Sequence, residues 1–224
     1  LYDLVYCPHR VAMDLFGDPA KRDPVSPFVQ LLWERGQVFE QQVVESLKLP
    51  FTNLRAYPGA EKERLTGEAM ARGDELIYGG RISAGDLVGE PDLLRRHGTG
   101  YVAGDIKSGA GVEGATEESD GKPKKHYAVQ LALYTDILER LRVAAGRTPF
   151  IWDVHRAEIV YDLDAPQGVK NPTTLWAIYQ ECLAEARAIV SRAENTLPAL
   201  ASICKLCHWR TVCTRNLEDL DDLT

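Results

Sequence analysis

Two short β-prone segments set the frame for this chain. One reads Gly89-Glu90-Pro91-Asp92 and the other Gly104-Asp105-Ile106-Lys107. Between them the stretch Arg96-His97-Gly98-Thr99-Gly100 has the composition of a hairpin turn. Folding back there brings Asp92 beside Asp105, about one interstrand spacing (~4.8 Å) away. Side chains alternate along a strand, so Asp105 and Lys107 share a face with Tyr101 and Ala103, while Val102 and Ile106 point the other way. A half-buried strand with an acid and an amine on one face is costly unless that face is wet or holds an ion. Two carboxylates that close repel each other unless a cation lies between them. Oxygen-only ligands select a hard divalent ion, Mg²⁺ or Mn²⁺, and the backbone carbonyl of Ile106 is placed to join them. Such an ion acidifies a bound water, and Lys107 can orient that water or steady transition-state charge. Alone, the D-x-K triplet reads as an ordinary strand face with an ion pair; the complete pattern, P-D-x12-D-x-K, is far more specific.

Around these strands the periodicities predict a single α/β domain over residues 1–224, with a central mixed sheet flanked by helices. Pro8 to Phe16 reads as a first helix, closed by Gly17-Asp18-Pro19. Ser26-Pro27 opens a long amphipathic helix over residues 28–48, with Phe28, Leu32, Phe39, Val43 and Leu47 on one face. Glu40 falls at the edge of that face, where an acid can look into the sheet edge as a third metal ligand or simply meet solvent. Residues 50–75 read as irregular, with a strand near Leu54–Tyr57. The catalytic core is expected over 76–145. Residues 108–125 lack apolar side chains that could pack and read as a mobile loop. His126–Leu141 is a second helix, carrying Gln130 and Tyr134 one turn apart. A glutamine on that apolar face needs partners, and a satisfied core glutamine is the bland alternative. Phe150–Leu163 supplies one long strand or two short ones, and Pro172–Asn195 is a third long helix.

Placement matters more than number for the five cysteines among 224 residues. Cys204, Cys207 and Cys213 form C-x2-C-x5-C, and Cys7 stands alone near the start. A C-x2-C turn lets two thiolates converge on one soft metal; a third can join from the next turn of chain, and Cys7 can be the fourth. The ends, residues 1–16 and 196–216, would then be stapled together. Zinc and a [4Fe–4S] cluster both accept four thiolates, and spacing does not separate them. Cys182, within a strongly helical stretch, reads as a small buried hydrophobe. Nothing before Cys7 resembles an export signal, so a reducing, cytoplasmic compartment is expected and disulfides are not. The chain opens on Leu1, as expected of a segment that begins inside a longer polypeptide. No apolar run approaches the ~18 residues of a membrane span. The formal charge of −7 excludes a broad basic nucleic-acid coat, though not an enzyme meeting nucleic acid at one metal-loaded cleft. Part of that charge is the tail Leu217–Thr224, whose four acids leave −3 on the remainder. Lys122, Lys124, Lys125 and His126, with Arg95 and Arg96, suit a DNA path but individually read as solvated surface. Trp209 reads as packing over the cysteine site rather than stacking on a base.

P-D-x12-D-x-K is the hallmark of the PD-(D/E)XK nuclease superfamily. With Gln130-x3-Tyr134 and the four cysteines, the chain resembles the iron–sulfur-containing RecB-like nucleases, a group with AddB-type nuclease domains and CRISPR-associated adaptation exonucleases. The resemblance runs from Cys7 to Cys213. It implies a restriction-endonuclease-like core and metal-dependent hydrolysis of DNA phosphodiesters, often from single-stranded ends. It implies that Glu40, Asp92, Asp105 and the Ile106 carbonyl bind Mg²⁺ or Mn²⁺. Lys107 would act in catalysis, and Gln130 and Tyr134 would position the strand or the water. It also selects [4Fe–4S] over zinc for Cys7, Cys204, Cys207 and Cys213. Many relatives carry His where Glu40 stands here. No helicase motif is present, so any unwinding would come from a missing part of the polypeptide or from a partner, with a helicase, repair or CRISPR-adaptation protein as the expected partner. The competing expectations are an iron–sulfur DNA-binding adaptor with a vestigial centre, and a zinc-stabilised enzyme acting on another phosphorylated substrate.

Overall fold

A computed structural model describes residues 1–116, 120–168, 170–193 and 195–219. The chain begins with α1 (Pro8–Phe16), a 3₁₀ turn (Pro19–Lys21) and α2 (Pro27–Glu45). Next come β1 (Thr52–Asn53), α3 (Gly59–Arg72), β2 (Leu76–Tyr78), β3 (Ile82–Ala84), β4 (Leu87–Gly89), β5 (Leu93–His97) and β6 (Gly100–Ile106). Short β7 (Val112–Glu113) and β8 (Lys122–Pro123) precede α4 (Lys125–Arg140), β9 (Phe150–Trp152) and β10 (Glu158–Val160). β11 (Pro166–Gln167), β12 (Thr173–Thr174) and α5 (Leu175–Val190) lead to a second 3₁₀ turn (Ser202–Leu206) and α6 (Arg210–Asp219). No helix among the described residues is long and apolar enough to cross a membrane. These elements form two compact units, Gly36–Tyr179 and, from the two ends of the chain, Leu1–Arg35 with Gln180–Thr224.

The Gly36–Tyr179 unit is built on a six-stranded mixed sheet in the order β1-β2-β5-β6-β9-β10. β1 pairs with β2, and β6 with β9, in parallel; the other neighbours are antiparallel. This is the expected mixed sheet. β5 and β6 meet through the expected hairpin, paired from Leu93↔Gly104 to His97↔Gly100, with Gly98 at φ +60° in the turn. Such a dihedral is open to glycine at little cost. β6 departs from a half-buried strand, since all seven of its residues are buried. Val102 and Ile106 pack with Val43, Val44, Leu76, Leu93 and Phe150, against which Phe39 and Leu47 also lie. The predicted stripe of α2 is therefore a core face in its second half only; Phe28 and Leu32 are exposed. Ser26 caps α2 as expected, its Oγ accepting the Val29 N–H at 3.2 Å.

Three readings of the sequence are corrected. The strand near residue 54 lies at Thr52–Asn53, and Leu54 starts a turn instead. Much of the segment read as irregular is α3, which ends on Gly73 at φ +79°. Its buried positions are Lys62, Thr66 and Ala69, so the face it turns inward carries almost no hydrophobic signal. The glycine-rich loop after Lys107 is tied down rather than free. Asp153 Oδ2 accepts the Gly111 N–H at 3.2 Å, Tyr161 donates its hydroxyl to the Gly111 carbonyl, and Lys124 N–H reaches the Tyr161 oxygen at 3.3 Å. Of that loop, residues 117–119 lie outside the described residues, as do Glu194 of the predicted third helix and 220–224 of the acidic tail.

In the unit made from the chain's ends, Trp209 is fully buried. Its Nε1 donates to Asp14 Oδ1 at 2.9 Å, and His208 Nε2 lies 2.6 Å from the same oxygen. Gly17 closes α1 against this indole; a Cβ there would lie 2.9 Å from the Trp209 ring. Arg22 sits over the ring at 5.0 Å. Trp209 is thus a packing residue, but its ring packs against α1 and Arg22 rather than lining the cysteine cavity as expected.

Candidate functional site

Extending the β5–β6 register by one residue sets Asp92 opposite Asp105. The two are stitched through backbone: Asp105 Oδ1 accepts the Asp92 N–H at 3.3 Å, and Asp92 Oδ2 accepts the Ile106 N–H at 2.8 Å. Asp105 is 1% exposed. Its Oδ2 lies 2.9 Å from Lys107 Nζ, yet makes no hydrogen bond of good geometry among the described residues. Burial and then the Asp105 charge push the Asp92 carboxyl up to about 8, with Glu40 adding to the effect. Burial opposes the charge on Lys107, but Asp105 and Asp92 outweigh it, so the ammonium is held above its ordinary value. A buried carboxyl pair with excess negative charge, and an oxygen lacking a full set of partners, is the environment a divalent cation satisfies.

Helix α4 supplies the polar side chains behind Lys107. Gln130 Oε1 accepts from Lys107 Nζ at 3.2 Å, and Gln130 Nε2 donates to the Tyr134 hydroxyl oxygen at 2.7 Å. Tyr134 in turn donates toward the Glu90 carbonyl at 3.5 Å. Gln130 is therefore a satisfied core amide, and what satisfies it is the site. The Tyr134 ring lies against Gly89, where a Cβ would come within 2.6 Å of it. Burial, then the Asp105 charge, raises the Tyr134 hydroxyl and keeps it a neutral donor. Lys107 and Lys124 stand 5.5 and 5.3 Å from the Tyr127 ring centre. Burial, with Lys124 and Lys107 nearby, pushes His126 down to about 4, so it is neutral near pH 7.

Glu40, from α2, comes to the same place. Its Oε1 accepts the Tyr78 hydroxyl at 2.9 Å, and its Oε2 accepts from Arg55 at 3.2 Å. Arg55 also approaches Asp92 Oδ1 at 3.9 Å. Sequence reasoning missed Arg55 and Tyr78: the first lies in the stretch read as irregular, and the second reads as a plain strand aromatic. Lys62, on the hidden face of α3, was missed as well; it pairs with Glu90 at 3.1 Å, next to Pro91-Asp92. Arg95 and Arg96 are otherwise engaged. Arg95 makes a two-pronged pair with Glu158 at 2.6 and 2.8 Å, and Arg96 donates to the Gly73 carbonyl at 3.0 Å.

In the other unit, Cys7, Cys204, Cys207 and Cys213 line one cavity with His9 and Arg10. Backbone N–H groups of Arg10, Ala201 and Trp209 point at the sulfurs of Cys7, Cys204 and Cys207, at 3.4, 3.3 and 3.4 Å. Burial, reinforced by the other three sulfurs, pushes Cys213 up to about 11. Even so, among the described residues no three His, Cys, Asp or Glu side chains converge closely enough to form a metal-binding group. Cys182 does not line this cavity, and it is half-buried rather than the buried hydrophobe the sequence suggests.

The mixed sheet thus presents opposed aspartates and a lysine at the end of a buried strand. The chain belongs to the PD-(D/E)XK nuclease superfamily, which it matches over residues 9–214. Nucleases of that superfamily are hydrolases that use Mg²⁺ or Mn²⁺. No curated protein matches the chain in sequence.

Proposed function

We propose that this protein is a Mg²⁺- or Mn²⁺-dependent DNA exonuclease that works from single-stranded ends. The observation that carries the reading is the Asp92–Asp105–Lys107 arrangement, with Asp105 Oδ2 buried 2.9 Å from Lys107 Nζ and without a hydrogen bond of good geometry among the described residues. Asp92, Asp105, Glu40 and the Ile106 carbonyl would hold the ion. When bound, it supplies an acidified water and neutralises charge on the scissile phosphate. Lys107, kept charged by its two acids, steadies the water or the developing negative charge. Gln130 and Tyr134 hold the Lys107 ammonium in one orientation.

The cysteine cavity is the proposed seat of a [4Fe–4S] cluster. Backbone N–H groups on three sulfurs suit thiolate ligands, and His9 Nε2 is buried there with no hydrogen-bond partner among the described residues. A cluster in this unit is structural; the hydrolysis needs none of its electrons.

End-labelled single-stranded DNA with Mn²⁺ is the decisive assay. Asp105→Ala and Lys107→Ala should each abolish digestion while the anaerobically purified protein stays brown. Digestion by both variants at the parent's rate refutes the active-site assignment. A parent that binds DNA but cuts no end with either metal is the adaptor instead. A colourless protein containing zinc refutes the cluster.

A further inference from the structure

Arg55 holds a place that the proposed metal chemistry leaves unexplained. Its two guanidinium nitrogens reach both oxygens of Glu40 at 3.2 Å, and one of them lies 3.9 Å from Asp92 Oδ1. Those are two of the carboxylates a divalent ion would need. The arginine side chain is 49% exposed, against 13% for Glu40 and 17% for Asp92. It therefore reaches the carboxylates from the solvent side, where a polyanion would arrive.

Its backbone, by contrast, is fixed. Gly79 sits at φ +66°, and a Cβ there would lie 2.9 Å from Arg55 Cα. Arg55 N–H donates to Asn53 Oδ1 at 3.0 Å, and Leu54 N–H to the Tyr78 carbonyl at 2.9 Å. Gly79 N–H in turn donates to the Asp92 carbonyl at 2.8 Å. One glycine turn thus seats both the arginine and the acid it approaches, and the freedom left to Arg55 is in its side chain.

We infer that Arg55 is the DNA-phosphate ligand of this site, held by Glu40 and Asp92 until a divalent ion takes those carboxylates. This rests on the reading of Glu40 and Asp92 as metal ligands. A planar guanidinium matches a carboxylate or a phosphate with the same two-pronged geometry. Once an ion neutralises the acids, a backbone phosphate is the stronger attraction for a half-exposed arginine. No covalent step is added; Arg55 exchanges one anion for another.

The test titrates Mn²⁺ alone into DNA-free protein by calorimetry and separately measures kcat and KM on a single-stranded oligonucleotide. Arg55→Ala frees the carboxylates, so Mn²⁺ should bind about two- to fivefold tighter, the worth of a partly exposed ion pair. The same variant should lose about ten- to a hundredfold in kcat/KM, mainly through KM, as expected for a lost charged hydrogen bond. Arg55→Lys keeps the charge without the fork and should return Mn²⁺ affinity to near the parent's while restoring kcat/KM only in part. Unchanged or weaker Mn²⁺ binding by Arg55→Ala, or an unchanged KM, overturns the inference while an active parent leaves the nuclease reading standing. A parent that neither binds Mn²⁺ nor cuts DNA overturns both.

Discussion

Asp92→Asn should make the metal-free protein more stable and the enzyme inert. Asp92 faces Asp105 across the β5–β6 pair, and burial together with that neighbour raises its carboxyl to about 8. An acid whose folded pKa lies above its unfolded value costs stability as pH rises between the two, because the unfolded chain releases the proton first. Between an unfolded value near 3.8 and pH 7 lie about three pH units, each equivalent to about 1.4 kcal/mol. Water entry and side-chain relaxation bring the expected gain to about 2 kcal/mol. Asparagine keeps an oxygen for the Ile106 N–H and carries no charge, so it removes the repulsion and keeps the stitch. For a chain of this length the gain corresponds to about 4–8 °C in Tm. Thermal melts in EDTA at pH 7 and pH 5 check it, and the gain should shrink to about a third at pH 5. Added Mn²⁺ should then raise the parent's Tm more than the variant's. A variant that melts at or below the parent in EDTA at pH 7, or with a pH-independent difference, refutes the reasoning.

Two further outcomes follow from close packing around the site. Gly104→Ala places a Cβ against the fully buried Phe150 ring, its register partner, and should cost about 2–3 kcal/mol in urea unfolding; adding Phe150→Leu should recover part of that loss. Additive single and double variants would show that the two sites do not collide. Tyr134→Phe removes the hydroxyl that accepts from Gln130, so kcat should fall about tenfold with Tm within about 2 °C, and a kcat at the parent's value would leave that hydroxyl without a part in holding Lys107.

Residues whose chemistry follows from local pattern were legible in the sequence. The turn at Arg96–Gly100 is enough to bring Asp92 near Asp105, while the register that sets them opposite comes from the two-residue Gly98-Thr99 loop between His97 and Gly100. Gln130 and Tyr134 follow from helical spacing. Glu40 needed more, since its position on the wheel was equally that of a solvent glutamate, and only its contacts with Tyr78 and Arg55 show that it turns inward. Helix α3 escaped because its inward face is Lys62, Thr66 and Ala69: hydrophobic periodicity fails where a buried lysine is satisfied by a distant partner, here Glu90. Arg55 escaped for a related reason. Its role depends on Gly79 and Glu40, 24 and 15 residues away in sequence, and no local pattern carries such a meeting. The glycine-rich loop looked unanchored because its anchors, Asp153 and Tyr161, come from the far side of α4.

The division of the chain into one contiguous and one discontinuous unit has a consequence for its birth on the ribosome. Every residue from Gly36 to Tyr179, and so the whole Asp92–Lys107 hairpin with Gln130, is synthesised before Trp209 exists. Helix α1 and Cys7 are made before that unit and wait through its synthesis for Asp14 to meet that indole and for the other three thiols. The sulfur-lined cavity therefore cannot close until the whole Gly36–Tyr179 unit has been made, and damage to the Cys204–Cys213 segment leaves Cys7 and α1 without the groups they meet.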